Sequence, residues 1–404
     1  MIRTSEVVLP GHPDRFCDQV ADAVVGACYA VDPRAYCQVE MSVWSDQVFL
    51  TGGIVTRTPL KESLADIVRR VGRRIGYWPG TPLDAERYVV HDTVCQSRED
   101  PRTWTDKVND QCITVGWAGY DARTRWLPPE HYLAQRLGEV LAKGGKYSRL
   151  FRQGPDGKLL VRLREDTDGW HLEHVLVTMQ QHSRTTFMDF VAHVVFVVRE
   201  AYKDLQRRDG RWVTPVDEVE LLVNPNGPLI NGGSDGDNGQ TGRKLVVDYY
   251  GPRVAIGGGA LSGKDFSHID RAAAYAAREA AVRAVSSGAR ECRVVLAYAP
   301  NLDTPLDVTW EMEGRGARVA DTWFAHSAVR ERYTAHVWTE TLSRGLHFMD
   351  ATRPWNKAGG WSLVVSRRSA HLKVRTTPAW NTVSASRPLR CTPPGRRSPR
   401  VHRW

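Results

Sequence analysis

The chain has 404 residues, of which 42% are hydrophobic and 25% charged, a composition typical of a soluble globular protein with two or three domains. No apolar run approaches the roughly 20 residues needed to cross a bilayer, and the N-terminus has no apolar segment of signal-peptide length, which argues against a membrane partner and for the cytoplasm. The net charge of +9 is concentrated at one end: twelve Lys and Arg and no acidic residue follow Asp350, so residues 1–350 carry −3. Seven widely spaced cysteines without a CxxC pair argue against a zinc site and predict reduced thiols.

The first half of the chain alternates between helical and strand patterns. Apolar spacing predicts a helix over residues 13–31, and Pro13 suits its first turn. Two alternating segments, 36–44 and 47–55, predict a hairpin, and a second helix follows over residues 60–75. The polar segment 96–110 has no period and contains Pro101, so we expect a mobile loop. On the first helix, Asp18 and Asp22 continue the spacing of Asp14, and we expect both side chains to be solvated.

The second half continues in mixed order. We predict helices over residues 132–143, 187–206 and 271–285, and strands over 159–163, 174–179, 218–223, 244–248 and 293–298. The pattern Ser267-x-x-Asp270 predicts a capping box before the third of these helices. Mixed strands and helices favour an α+β fold of several sheet-and-helix layers.

Two glycine-rich segments, 236–244 and 257–265, carry cations and carboxylates and fit a polyphosphate with metal ions. Gly258-x-x-x-x-Gly263-Lys264 nearly matches a P-loop, but Asp265 stands where the motif requires Ser or Thr, so we reject that interpretation. Near the N-terminus, Gly11-His12-Pro13-Asp14 opens the first helix, where a histidine could contact a phosphate and a carboxylate could bind a metal. An ordinary helix-start turn is the alternative explanation of that motif.

Read together, the motifs resemble those of the S-adenosylmethionine synthetases, from about Ser5 to Tyr298. They occur in this order: Gly11-His12-Pro13-Asp14, Asp110-Gln111, Pro155-Asp156-Gly157-Lys158, Gln181-His182-Ser183, Gly236-Asp237 to Lys244, and Gly257-Gly258-Gly259-Ala260 to Arg278. The resemblance implies three similar sheet-and-helix domains related by pseudo-threefold symmetry. We place them at 1–98, 110–223 and 224–365, followed by a basic, disordered tail at 366–404.

The resemblance also implies an activity: methionine sulfur attacks the 5′ carbon of ATP, and the expelled triphosphate is hydrolysed to pyrophosphate and phosphate. The implied catalytic residues are His12, Lys158, Arg243 and Lys264. The implied ATP contacts are His12, Asp156, Lys158, Asp237, Arg243, Lys244, Ala260 and Lys264. The implied methionine contacts are Gln96, Asp110, Asp237 and His268. Asp14 and Asp270 would hold two Mg²⁺ ions and Glu40 one K⁺. The family's active sites lie between subunits, which implies a homodimer or a dimer of dimers.

Most residues that depart from the family pattern are at positions that the resemblance places next to the amino-acid substrate. Ile54 stands in place of a glutamate that meets the methionine amino group, and His268 in place of a lysine. Pro300 replaces an isoleucine beside the methionine side chain, and Leu229 a phenylalanine on adenine. The segment 96–110 is also shorter than usual. Two alternatives therefore stay open: an enzyme for another thioether amino acid, and a non-catalytic ATP-binding homologue.

The basic tail has two interpretations. Ten positive residues after residue 365 could bind nucleic acid in a salt-dependent way. A disordered or altered terminus explains the same composition, and we favour it, so a nucleic-acid partner is not expected.

Overall fold

The computed structural model describes residues 1–79, 81–143, 153–334 and 344–358. The strands, in chain order, are β1 Ile2–Val8, β2 Tyr36–Trp44, β3 Gln47–Val55, β4 Val89–Asp92, β5 Cys95–Ser97, β6 Cys112–Gly119, β7 Gln153–Glu165, β8 Trp170–Gln181, β9 Glu220–Val223, β10 Gly239–Gln240, β11 Ala289–Tyr298 and β12 Asp307–Gly314. The helices are α1 Pro13–Val31, α2 Leu64–Ile75, α3 Arg102–Thr105, α4 Pro129–Ala142, α5 Phe187–Arg208, α6 Leu245–Asp248, α7 Ile269–Ser286 and α8 His326–Thr334.

In the described part of the chain, three sheets each carry helices on one face. The first sheet has the order β10-β2-β3-β4 with β5 also paired to β3, and α1 and α2 pack on it. The second has the order β1-β7-β8-β9 under α4 and α5. The third has the order β12-β11-β6 under α7, and α8 packs on α7. The predicted α+β class is confirmed.

The sheets exchange strands between distant parts of the chain. β1 pairs antiparallel with β7, β6 with β11, and the two-residue strand β10 with β2. Each sheet therefore combines segments from more than one of the ranges 1–98, 110–223 and 224–365, and that division of the chain stays a prediction. The tail at 366–404 lies outside the described residues.

Several predicted elements have the expected bounds, and others are corrected. α1, β2 and β3 match the prediction, whereas α2 begins at Leu64 because the Ser63 side chain caps it by accepting from the Asp66 N–H at 3.1 Å. The predicted strand at 244–248 is wrong: these residues form the short helix α6. The apolar run Leu245-Val246-Val247 is too short to show a period, and the helix places Asp248 inward, where it pairs with Arg15.

Two further expectations also fail. The predicted loop at 96–110 begins within β5 and contains α3. The predicted capping box is absent, since the N-cap of α7 is His268, and the Ser267 hydroxyl donates instead to Asp265 at 2.5 Å.

The cysteines and helices bear on the environment of the chain. Among the described residues, Cys17, Cys28, Cys37, Cys112 and Cys292 are free and buried. Among the described helices, none is long and apolar enough to span a membrane.

Candidate active site

The start of α1 carries the centre of the candidate site. His12 is the N-cap residue, and its Nδ1 accepts a hydrogen bond from the Asp14 N–H at 3.2 Å. An accepting Nδ1 places the proton of the neutral ring on Nε2. That Nε2 is buried and has no hydrogen-bond partner among the described residues, with the side chain only 2% exposed. The helix therefore begins with a fixed, unused N–H donor.

His12 stays neutral because of its surroundings. Burial, reinforced by the positive charges of Lys244 and Lys158, lowers the pKa of His12 to about 3. Lys158 reaches this point from β7, where it pairs with Val8 in the strand that leads to His12. A neutral imidazole can donate its Nε2 proton across the whole neutral pH range without changing charge.

Asp14 collects the cations of the first glycine-rich segment. One oxygen accepts from the Gln240 N–H at 2.9 Å and lies 3.4 Å from Arg243 Nε. The other oxygen accepts from Lys244 Nζ. Although burial opposes ionisation, the hydrogen bonds from Lys244 and Gln240 lower the pKa of Asp14 below its ordinary value. The carboxylate is thus ionised at neutral pH.

Asp156 and Asp237 lie beside this group. The Asp156 carboxylate accepts from the Gly233 N–H at 2.6 Å, and burial raises its pKa, with the nearby Asp237 charge adding to the shift. Asp237 is exposed, and its own N–H donates to the Gly233 carbonyl at 3.1 Å. Asp156, through its side chain, and Asp237, through its backbone N–H, therefore both bond to Gly233.

A second group forms at the start of α7 and repeats the first. His268 is the N-cap residue, and its Nδ1 accepts from the Asp270 N–H at 3.3 Å. Lys264 Nζ donates to Asp270 at 2.5 Å, as Lys244 does to Asp14. Burial opposes the ionisation of Asp270, but the Lys264 charge lowers its pKa, while burial and that same charge lower the pKa of His268. The negative charge of Asp110 acts on His268 in the opposite direction and raises its pKa, which places Asp110 near this group.

The predicted site residues therefore fall into two groups and two outliers. His12, Asp14, Lys158, Arg243 and Lys244 converge within this chain, with Asp156 and Asp237 beside them. Lys264, His268, Asp270 and Asp110 form the second group. Ala260 lies next to the first glycine-rich segment, because a Cβ added at Gly242 would be 2.8 Å from Ala260 Cβ. Glu40 and Gln96 are exposed, on β2 and β5, and within the part of the chain that the structure describes neither side chain bonds to either group.

The fit of these residues to metal ions can be judged from their donor sets. Among the described residues, the one cluster of three or more potential ligand groups is Asp166, Asp168 and His171, where β7 turns into β8. Asp14 and Asp270 are each single ionised carboxylates. Mg²⁺ is commonly held by one or two carboxylates together with substrate phosphates, so the donor sets fit that ion. The K⁺ assignment to Glu40 stays a prediction.

The expectation that Asp18 and Asp22 are solvated is wrong. Both side chains are fully buried, and both accept hydrogen bonds from the glycine-rich segments. Sequence reasoning also missed Arg15 and Arg271, the buried partners of these carboxylates. The four-residue spacing from Asp14 was a usable signal, because it places all three carboxylates on the helix face that meets the site.

Fold and site together define a three-sheet α+β protein that carries cations and carboxylates at two equivalent helix starts. Comparison with known proteins gives the family. Residues 1–98 match the model of the S-adenosylmethionine synthetase N-terminal domain, and residues 231–341 match that of the C-terminal domain. The chain is 35% identical over 339 residues to S-adenosylmethionine synthase 1 of Rhodospirillum rubrum, covering 82% of this chain and 85% of that one. The chain belongs to the S-adenosylmethionine synthetase family.

A solved structure supports the architecture. The fold resembles that described as an unusual S-adenosylmethionine synthetase from Campylobacter jejuni, with a TM-score of 0.76 and 24% identity. The match covers 88% of this chain and 97% of the other. The predicted S-adenosylmethionine synthetase fold is thereby confirmed.

Proposed function

We propose that this protein is a methionine adenosyltransferase that forms S-adenosylmethionine from ATP and methionine and cleaves the released triphosphate to pyrophosphate and phosphate. The observation that carries the proposal is the convergence of Lys158, Arg243 and Lys244 on the buried His12–Asp14 turn. Three fixed cations around one helix N-terminus suit a chain of phosphates better than a single carboxylate or phosphate ligand.

The chemistry needs what these residues provide. A thioether sulfur has a lone pair and carries no proton that must leave, so attack on the 5′ carbon requires no general base. The C5′–O bond breaks as the C–S bond forms, and the electron pair leaves with the triphosphate oxygen. Charge develops on that oxygen, and the Nε2–H of His12 is a donor already oriented by the helix cap.

The cations would act on the remainder of the leaving group. Lys158, Arg243 and Lys244 would pair with phosphate oxygens, and Asp14 and Asp270 would each hold a Mg²⁺ ion that neutralises phosphate charge. The lysines would have to move from the carboxylates that they now contact. Binding of the nucleotide would therefore exchange internal ion pairs for contacts with phosphate.

A complete site would require two copies of the chain. The segment that carries Lys264 is held at Asp22, about 12 Å along the axis of α1 from Asp14 by the rise per residue of a helix. Large apolar side chains are exposed on strands of all three sheets, among them Phe49, Ile113 and Leu160. Exposed apolar surface of this kind favours a subunit interface, and we propose a homodimer or a dimer of dimers.

The amino-acid substrate is the finer part of the proposal. Ile54 is buried in the core of the first sheet, so its position offers no charge to a substrate ammonium group. Burial and the Lys264 charge lower the pKa of His268, so its position offers no permanent cation to a carboxylate. These observations support the alternative of another thioether amino acid, or of a homologue that binds ATP without turnover.

The test is mass spectrometry of products from ATP, Mg²⁺, K⁺ and a panel of thioether amino acids that includes methionine. We expect one sulfonium product together with pyrophosphate and phosphate. Formation of a sulfonium from a different thioether would show that this thioether, and not methionine, is the substrate. ATP binding without any product would support the non-catalytic alternative.

A further inference from the structure

Helix α1 presents a row of three carboxylates to the two glycine-rich segments. Asp14, Asp18 and Asp22 follow one another at four-residue spacing and therefore lie on one face. They accept backbone N–H groups from Gln240 at 2.9 Å, from Gly242 at 2.9 Å and from Gly263 at 2.8 Å. One helix thus holds both segments by hydrogen bonds to their backbones.

The two inner contacts have the same form. Asp18 binds the N–H of Gly242, which has φ of +79°, and the next residue is Arg243. Asp22 binds the N–H of Gly263, which has φ of +80°, and the next residue is Lys264. In each segment, a left-handed glycine fixed to α1 directly precedes a cation of the candidate site.

The glycines cannot shift freely in these positions. A Cβ at Gly263 would lie 2.1 Å from the carbonyl oxygen of Val39, and one at Gly242 would lie 2.8 Å from Ala260 Cβ. Left-handed backbone is also strained for most other residues. The close packing therefore leaves each glycine little room to move away from the aspartate that it bonds.

Buried arginines keep the two aspartates in place. Arg15 donates to Asp18 at 3.1 Å and pairs with Asp248 at 2.6 Å, and Arg271 pairs with Asp22 at 3.0 Å. Asp18 and Asp22 are fully buried. Neither carboxylate can therefore reach a substrate or a substrate-bound metal ion, and any effect on function must pass through the backbone that each one binds.

We propose that Asp18 and Asp22 are positioning residues. By bonding the preceding glycines, they fix the positions of Arg243 and Lys264 along α1 at which these cations bind the triphosphate chain. This inference rests on the proposed function, since it concerns the same anion. Asp18 serves the first group of site residues and Asp22 the second. One helix thereby positions a cation in each of the two groups.

The test uses inorganic tripolyphosphate with Mg²⁺ as the probe and the full-length protein. Asp18→Asn and Asp22→Asn keep the shape of the side chain but replace one of its two hydrogen-bond-accepting oxygens with an NH₂ group, which can only donate. We expect each variant to weaken tripolyphosphate binding about fivefold in titration calorimetry, and to raise the KM for ATP by a similar factor. The double variant should bind tripolyphosphate about twenty-five-fold more weakly than wild type, because the two segments are held separately and the effects multiply.

Asp32→Asn is the matched control. Asp32 is a buried carboxylate at the end of the same helix that pairs with Arg57 and touches neither glycine-rich segment. Loss of stability alone should appear in all three single variants, whereas weaker tripolyphosphate binding should appear only with Asp18 and Asp22. Unchanged binding in both site variants, or equal weakening in the control, would overturn the inference and leave the proposed function standing. No binding to the wild-type protein would overturn both.

Discussion

His12 performs two tasks with two different nitrogen atoms, and substitutions can separate them. Nδ1 caps α1 by accepting from the Asp14 N–H at 3.2 Å, and Nε2 is the buried donor without a partner among the described residues. Asparagine reproduces the acceptor at the Nδ1 position and is among the best N-cap residues, but it has no atom at the Nε2 position. Glutamine places an amide nitrogen near Nε2 but is a poor N-cap.

For His12→Asn we expect wild-type stability and a large loss of rate. Removing one donor to an oxygen on which charge develops costs about 10²- to 10³-fold in kcat, or about 2.7–4 kcal/mol. For His12→Gln we expect the reverse pattern: a smaller loss of kcat, and a loss of about 0.5–2 kcal/mol of stability with the helix cap.

The assay is steady-state sulfonium formation with saturating substrates, paired with thermal unfolding of each variant. Wild-type kcat should show no ionisation of His12 between pH 5 and 9, because burial and the neighbouring lysines lower the pKa of His12 to about 3. A His12→Asn enzyme with kcat within threefold of wild type would refute the assigned donor role. So would a rate loss that merely tracks its fraction unfolded.

Three further predictions concern the second glycine-rich segment, the buried His131, and the C-terminal part of the chain. Gly263→Ala should lower kcat/KM more than tenfold in steady-state assays because of its clash with Val39, whereas Gly258→Ala, with open space around its Cβ, should match wild type; equal effects would contradict the loop geometry. Burial lowers the pKa of His131 to about 4, so the unfolded chain takes up a proton between pH 6.5 and 4 that the folded chain does not. Stability measured by denaturant titration should therefore fall as pH drops through that window, by up to about 1.4 kcal/mol per pH unit from this group, and His131→Gln should flatten the slope; an unchanged slope would count against it. Trp355→Ala should cost about 3–5 kcal/mol because its fully buried ring stacks on a tyrosine with centroids 3.9 Å apart, whereas ending the chain after residue 365 should leave the melting temperature unchanged; a truncated chain that unfolds would contradict our view of the tail.

Elements with a long, regular period could be predicted from the sequence. α1, with its apolar face against the first sheet, and the hairpin of β2 and β3 have the predicted bounds. The motif residues of the first group, from His12 to Lys244, also lie together as expected. In these regions local propensity and tertiary packing favour the same structure.

The failures occur where a contact distant in sequence decides the structure. Residues 244–248 form a helix because Asp248 turns toward Arg15, a partner more than 200 residues away. Asp18 and Asp22 look like surface residues of an amphipathic helix until the glycine-rich segments and two arginines cover them. The spacing of residues along a single helix cannot show which distant residues will become their partners.

The central claim is that the clustered cations stabilise an intact triphosphate as it leaves the 5′ carbon. Phosphorus NMR of a reaction with ATP, Mg²⁺, K⁺ and the accepted thioether tests this directly. We predict one pyrophosphate and one phosphate per sulfonium formed, with no ADP or AMP at any time. Accumulation of ADP or AMP in step with product would show cleavage between phosphorus and oxygen instead, and would contradict the account.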